Sequence, residues 1–510
     1  MKIERTQNAV RNALWGIFSK CVTGVFPVIM RAVIVYYLGA EYLGLSTLFS
    51  SILSVLSLAD LGLPGAIVFS MYKPIAEDDS KTICELLSFY RKAYIAIGSA
   101  IAIIGLLVMP SLRQLINGEC PQDVNIYILY LIYLFNAVIG YFLFAYKGCL
   151  FEAYQRNDLQ VKISMITITI QHVLCIPMLI VTRNYYTYAL SIPVASIVNN
   201  IMISYAASKS YPKLVPNGKL EKDERQKLRK SIGGLMLSRI SGVTRNTFDS
   251  IFISAFIGLT AVTMYGNYYY LMSTVVALVS VVVSGMRAGI GNSVAVESQE
   301  KNYKDFTKFT FLYAWVIGWC TICLACLYQT AMRIWMGKEL LLSNDMVLLF
   351  CLYFYSLQSF TIMDQYYDAV GLWWIGKWRT ILEITANLAF NYLFVRFWGL
   401  EGIVLATIIT TILVNFIYGT LILFRNYFTS YSVKPYFESH LKYFVGTCFV
   451  GIITYGSCSL IPEHGFITLF FKGLICIVEP NFIYLLLYRK NSEAKEALLF
   501  AKKILRNKIE

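Results

Sequence analysis

The chain has 510 residues, of which 57% are hydrophobic and only 15% charged, with a formal net charge of +14. A chain this apolar has no way to hide its surface from water, which excludes an ordinary soluble protein and removes the nucleic-acid partner that a basic soluble protein would suggest. The expected class is an all-α polytopic membrane protein, and the polar residues inside its spans must explain what it does.

Roughly fourteen apolar segments fall at 13–38, 43–71, 93–110, 124–146, 161–182, 187–208, 232–257, 261–286, 308–329, 344–370, 378–395, 402–424, 441–460 and 466–488. Most are long enough to cross about 30 Å of hydrocarbon as a helix rising about 1.5 Å per residue. The first follows Lys2, Arg5 and Arg11, as the core of a signal peptide would. Its apolar run is too long for one and no small-residue cleavage site follows, so a retained helix is expected. With the N-terminus in the cytoplasm, 34 of the 44 Lys and Arg fall on the inner side, 5 on the outer side and 5 within spans. That asymmetry places both termini inside, and the basic rim faces anionic lipid rather than nucleic acid.

The longest inner loop, from Lys209 to Lys230, carries eight basic residues. The expected organisation is an N-terminal six-helix bundle (1–208), a basic linker (209–231), a second six-helix bundle (232–424), two additional spans (425–488) and a basic tail (489–510). The halves align weakly: Ser19 and Lys20 with Ser238 and Arg239, and Gly39 with Gly258. Both leading spans run from inside to outside, so the repeat is parallel about the membrane normal, a plan that puts substrate between bundles near the midplane. In the tail, Leu498, Leu499, Ile504 and Leu505 lie among Lys495, Lys502, Lys503 and Arg506. That pattern suits a helix on the inner membrane surface, or a solvated one.

Charges inside a bilayer are costly and mark a cavity or a partner. Lys20 and Arg31 stand about three turns apart on one face of the first span, below and above the midplane. Either residue could instead snorkel to its nearer interface. The seventh span carries Arg239, Arg245 and Asp249, the last two spaced to pair. A low-dielectric cavity lined by Lys20, Arg31, Arg239 and Arg245 would attract an anion such as phosphate or pyrophosphate. Asp60 in the second span and Asp364 and Asp368 in the tenth are acidic candidates, either structural or coupling. Carboxylates one turn apart, such as Asp364 and Asp368, could share a proton or hold a cation, H+ or Na+. Tyr265, Tyr268, Tyr269 and Tyr270 could face sugars, whereas Trp373, Trp374 and Trp378 beside Lys377 and Arg379 suit an interfacial belt.

Cys320, Cys323 and Cys326 have a cluster-like spacing but form a stripe in one span without a fourth ligand, so no metal or other cofactor is expected. No P-loop occurs, and His172, His440 and His464 form neither a zinc motif nor a triad. With short outer loops as well, a membrane glycan polymerase or transferase is the poorer reading and no enzyme is expected.

The stretch Tyr37-Leu38-Gly39-Ala40-Glu41-Tyr42-Leu43-Gly44-Leu45, then Leu58-Ala59-Asp60-Leu61-Gly62 and Met71-Tyr72-Lys73-Pro74-Ile75-Ala76, resembles the N-terminal region of Wzx-type polysaccharide flippases. These belong to the multidrug/oligosaccharidyl-lipid/polysaccharide exporter superfamily. The resemblance implies two six-helix bundles around a cationic cavity in a bacterial cytoplasmic membrane. It implies movement of an undecaprenyl-pyrophosphate-linked oligosaccharide to the outer leaflet for surface polysaccharide, O-antigen of lipopolysaccharide included. Implied partners are that lipid-linked substrate, membrane lipids, a polysaccharide polymerase and glycosyltransferases, with the chain itself a monomer. An ion-coupled drug exporter of the same superfamily is the rival, and it would favour acidic residues in the cavity.

Overall fold

The computed structural model describes residues 5–60, 62–118, 120–489 and 491, apart from some side chains, chiefly in the first, ninth and tenth helices. The surface helix expected of the tail lies outside the described residues. All regular elements among them are helical. In order they are α1 (Arg5–Tyr37), α2 (Ala40–Leu56), α3 (Leu63–Ala76), α4 (Ser80–Val108), α5 (Ile126–Phe142), α6 (Gly148–Ala153), α7 (Asn157–Thr182), α8 (Tyr185–Ser210) and α9 (Lys222–Phe256). Then follow α10 (Leu259–Val296), α11 (Gln299–Met336), α12 (Asn344–Ser359), α13 (Thr361–Val370) and α14 (Lys377–Thr410). A π-helical stretch, Thr411–Tyr418, joins α14 to α15 (Gly419–Asn426), and α16 (Lys434–Ser459) and α17 (Phe466–Tyr488) end the fold.

Among the described residues nine helices are long and apolar enough to cross a membrane, or ten if the pair α5 and Ala145–Ala153, bent by 51°, is one span. A count of fourteen is not reached on length and composition. One local break explains part of the difference, and another falls where the sequence placed it. The expected span 43–71 is interrupted by the 3-10 turn Ser57–Asp60, which leaves two short helices. The expected spans 378–395 and 402–424 stand as two helices that meet at a kink at Gly399, whose φ of 54° departs from the helix. Large apolar side chains point outward, Val181 at 83% exposure and Ile452 at 74% among them, as hydrocarbon rather than water would allow.

The chain forms two compact units, Met1–Thr263 and Met264–Glu510. In the first, α7 packs on α1 and α8, α5 on α4 and α8, and α2 and α3 on α9. In the second, α11 is the hub for α12, α16 and α17. Helix starts follow their side chains: Asn125 accepts from the Tyr127 and Ile128 amides, and Asp79 accepts from the Thr82 amide at 3.1 Å.

The two glycines aligned in sequence share one backbone device. Gly39 ends α1 at φ 127° and Gly258 ends α9 at φ 136°, in the region that only glycine enters freely. Each amide reaches back five residues, Gly39 to the Ile34 carbonyl at 3.1 Å and Gly258 to the Ile253 carbonyl at 3.0 Å. Gly62 serves a different need. A Cβ there would fall 2.2 Å from the Ile232 carbonyl, so the start of α3 lies directly on α9.

Candidate functional site

A cavity of about 330 Å³ opens inside the first unit among α1, α2, α7, α8 and α9. Its charged lining residue is Arg31, half-buried on α1 beside Pro27 and Ile34. Opposite, α2 presents Ser46, Thr47, Ser50, Ser51 and Ser54, a hydroxyl row at one-turn spacing on an otherwise apolar helix. Several of these hydroxyls satisfy themselves within the fold. Thr47 donates to the Leu43 carbonyl at 2.9 Å and Ser54 to the Ser50 carbonyl at 2.7 Å. Ser46 is fixed from behind, accepting from the Tyr133 hydroxyl at 2.8 Å, while Tyr133 also contacts the Tyr185 hydroxyl at 3.1 Å.

The remaining walls are polar or aromatic. His172 from α7 stacks on Phe26 with ring centroids 5.1 Å apart, and its Nδ1 lies 2.8 Å from the Ile168 carbonyl. Tyr188 comes from α8, and Asn246 and Thr247 from α9. No carboxylate lines this cavity among the described residues. One cation in a hydroxyl-lined, partly dry space favours an anion with many acceptor oxygens.

The other expected cations are arranged unevenly. Lys20 is exposed on α1 and is not part of the cavity lining. Arg245 is half-buried on α9, next to the lining residue Asn246. Asp249, one turn on, is completely buried, and both it and Arg245 are engaged by neighbouring groups. The side chain of Arg239 lies outside the described residues. Thus Arg31 lines the cavity with Asn246 and Thr247 of α9, next to Arg245, and Lys20 stays apart.

The acidic candidates sit elsewhere. Asp60 occupies the turn between α2 and α3, where the Tyr141 hydroxyl donates to Oδ2 at 3.4 Å and Oδ1 is buried without a hydrogen bond. In the second unit, Asp364 holds Arg379, Nη1 to Oδ1 2.8 Å, while Arg379 Nε donates to Asn415 Oδ1 at 3.0 Å. Asp368 meets different partners, Arg287 at 3.5 Å and the Trp373 indole N–H at 2.9 Å. Each carboxylate therefore has its own cation.

Burial bears on two further expectations. Tyr265 and Tyr268 are fully buried, and Tyr268 donates to Gln329 at 2.8 Å, so they are core rather than sugar-facing. Trp373, Trp374 and Trp378 are at least half exposed, with the Lys377 ammonium over two of the rings. The hydroxyl row of α2, with His172 and Tyr188, was missed by a search for charges. Its trace in the sequence is Ser or Thr recurring every three or four residues in an apolar helix.

A family model for polysaccharide biosynthesis proteins matches residues 9–288, more than half of the chain. Among solved structures, a lipid II flippase MurJ in an inward closed conformation superposes with a TM-score of 0.68 at 14% identity, covering 94% of this chain and 98% of its own. An inward-facing multidrug resistance MATE family transporter of the MOP superfamily superposes with a TM-score of 0.61 at 13% identity, covering 78% and 94%. At these identities the likeness is one of fold. Among curated proteins none matches by sequence.

Proposed function

Because the chain belongs to the polysaccharide biosynthesis protein family and has the fold of MOP-type membrane transporters, we propose that it flips an undecaprenyl-pyrophosphate-linked oligosaccharide from the cytoplasmic to the outer leaflet by alternating access. The observation that supports this reading is the cavity that sets Arg31 against the hydroxyl row of α2, with no carboxylate in its lining among the described residues. A guanidinium binds a phosphate pair bidentately, and hydroxyls exchange hydrogen bonds with phosphate and sugar oxygens alike. At about 330 Å³ the cavity suits the pyrophosphate and the first sugar rather than a whole repeat unit.

The same lining argues against a drug exporter as the first reading, since an organic cation would meet Arg31 in a cavity that no carboxylate lines among the described residues. The membrane is the bacterial cytoplasmic membrane, with both termini inside. The polymerase and glycosyltransferases of a surface polysaccharide are the functional partners, and H+ or Na+ is the coupling ion. The test is a strain lacking the gene and carrying variants of it. Arg31→Ala should leave lipid-linked oligosaccharide on the inner leaflet and abolish surface glycan, while Arg31→Lys keeps the charge and part of the flux. Normal surface glycan with Arg31→Ala would end the proposal.

A further inference from the structure

Three thiols from three helices converge in the second unit, where no sequence motif joins them. Cys326 on α11, Cys458 on α16 and Cys476 on α17 place their sulfur atoms within 4.8 Å of one another, with Cys458 and Cys476 4.0 Å apart. All three side chains are buried, at 6%, 2% and 0% exposure, and none is in a disulfide. Isolated cysteines in apolar helices behave as small hydrophobes and need no explanation. Three that meet point their only polar atoms at one spot.

The spot is polar on one side. A cavity of about 690 Å³ is lined by Cys326 and Cys458 together with Thr330, Arg333, Glu463 and Lys472. Lys472 stands one turn before Cys476 on α17, is 8% exposed, and donates to Glu463 Oε1 at 2.7 Å and to Thr330 at 3.1 Å. Arg333 reaches the other oxygen of Glu463 at 3.6 Å. Two cations and one carboxylate leave this group one positive charge in excess.

We propose that Cys326, Cys458 and Cys476 form a three-thiolate site for a divalent d10 cation, with Zn2+ the biological candidate. Distance and charge both fit. A Zn–S bond of about 2.3 Å sets tetrahedral sulfurs ~3.8 Å apart, close to the spacing found. Three thiolates around a divalent ion carry one negative charge, which the excess positive charge of the Lys472, Glu463 and Arg333 group offsets. Binding replaces three S–H protons, which leave through the cavity, and the cavity is also the route by which the ion reaches the sulfurs and the source of a fourth, water ligand. Cys323, one turn from Cys326, points its thiol at the Cys476 carbonyl, 3.9 Å away, and braces the same junction. The inference stands independently of the proposed substrate.

The experiment uses the full chain, purified in detergent, reduced and stripped of metal. Cd2+ serves as the spectroscopic probe through its thiolate charge-transfer absorption, and Zn2+ is measured by competition with a chromophoric chelator. One equivalent per chain is expected, with the release of three protons and a band of three-thiolate strength. Cys326→Ser or Cys476→Ser should weaken binding at least tenfold and remove about one third of the band. Cys320→Ser and Cys448→Ser, outside the cluster, should change neither. Should the cluster variants fail to fold, the wild type still decides: Zn2+ should protect three thiols from a maleimide. Failure of the wild type to bind one equivalent, or undiminished binding by a well-folded Cys476→Ser protein, would overturn the proposal.

Discussion

Asp364→Asn isolates the buried ion pair of the second unit. The substitution leaves the Arg379 guanidinium in place, 8% exposed, with its Nε still held by Asn415 and its face against the rings of Phe360 and Tyr367. Removing one partner of a buried pair costs about 3–5 kcal/mol. The Asp364 side chain is 30% exposed, and Glu383, one turn along α14 and 4% exposed, still attracts the cation. Both facts move the expectation to the lower end, about 2–3 kcal/mol. A fall in the thermal midpoint of detergent-purified protein reads this loss, and Arg379→Met added to Asp364→Asn should recover part of it, because the guanidinium that lost its partner is gone, although buried Glu383 then loses the cation it attracts. Asp368→Asn is the control: its pair with Arg287 is 3.5 Å long with side chains 43% and 68% exposed, so it should cost under about 1 kcal/mol. If Asp364→Asn is as stable as wild type and instead abolishes the response of transport to an imposed ion or pH gradient, the structural reasoning fails and the carboxylate belongs to coupling.

Three further expectations concern other elements. Asp249→Asn alone should lower the folded yield, since Asp249 is fully buried, whereas the Arg245→Gln, Asp249→Asn double variant should fold and fail to transport; normal transport by the double variant would remove Arg245 from the substrate. Gly62→Ala drives a methyl to 2.2 Å from the Ile232 carbonyl and should cost about 2 kcal/mol or more by denaturation, while Gly24→Ala, with open space around it, should cost little. The Lys472 ammonium, by hydrogen bonding, holds the Glu463 carboxyl below the usual carboxylate range. A depressed folded value means the pair stabilises the second unit above the ordinary carboxylate pKa of about 4.3 and loses that contribution as pH falls through the lower folded value. Wild type should therefore lose thermal stability below pH 4 more steeply than Glu463→Gln, and parallel curves would show that the pair contributes nothing.

The apolar segments were legible because hydrocarbon demands long uninterrupted runs, and nothing else in a sequence looks like them. The match of Gly39 with Gly258 was legible for a related reason: a helix that stops on a left-handed residue keeps its glycine, and the two ends proved to carry the same five-residue hydrogen bond. The break at Asp60 was not, since hydropathy averages over a turn of three or four residues, whereas the kink at Gly399 falls in the gap expected between the spans 378–395 and 402–424. Arg31 was found by its charge. Ser46, Ser50 and Ser54 escaped because serine is tolerated in apolar helices without a role, so only the neighbouring helices reveal that the row faces a cavity. The cysteines show the same limit from another side. Spacing along α11 drew attention to Cys320, Cys323 and Cys326, yet the sulfurs that meet are those of Cys326, Cys458 and Cys476, from helices far apart in sequence.

The most direct test of an anionic lipid-linked substrate is its binding to purified protein in lipid nanodiscs. A polyprenyl-pyrophosphate oligosaccharide should bind the wild type, be displaced by excess inorganic pyrophosphate, and bind Arg31→Gln about 10–100-fold more weakly, the loss expected for charge-assisted hydrogen bonds worth about 1.5–3 kcal/mol. Unchanged binding to Arg31→Gln, or displacement by a lipophilic cation but not by pyrophosphate, would contradict the account.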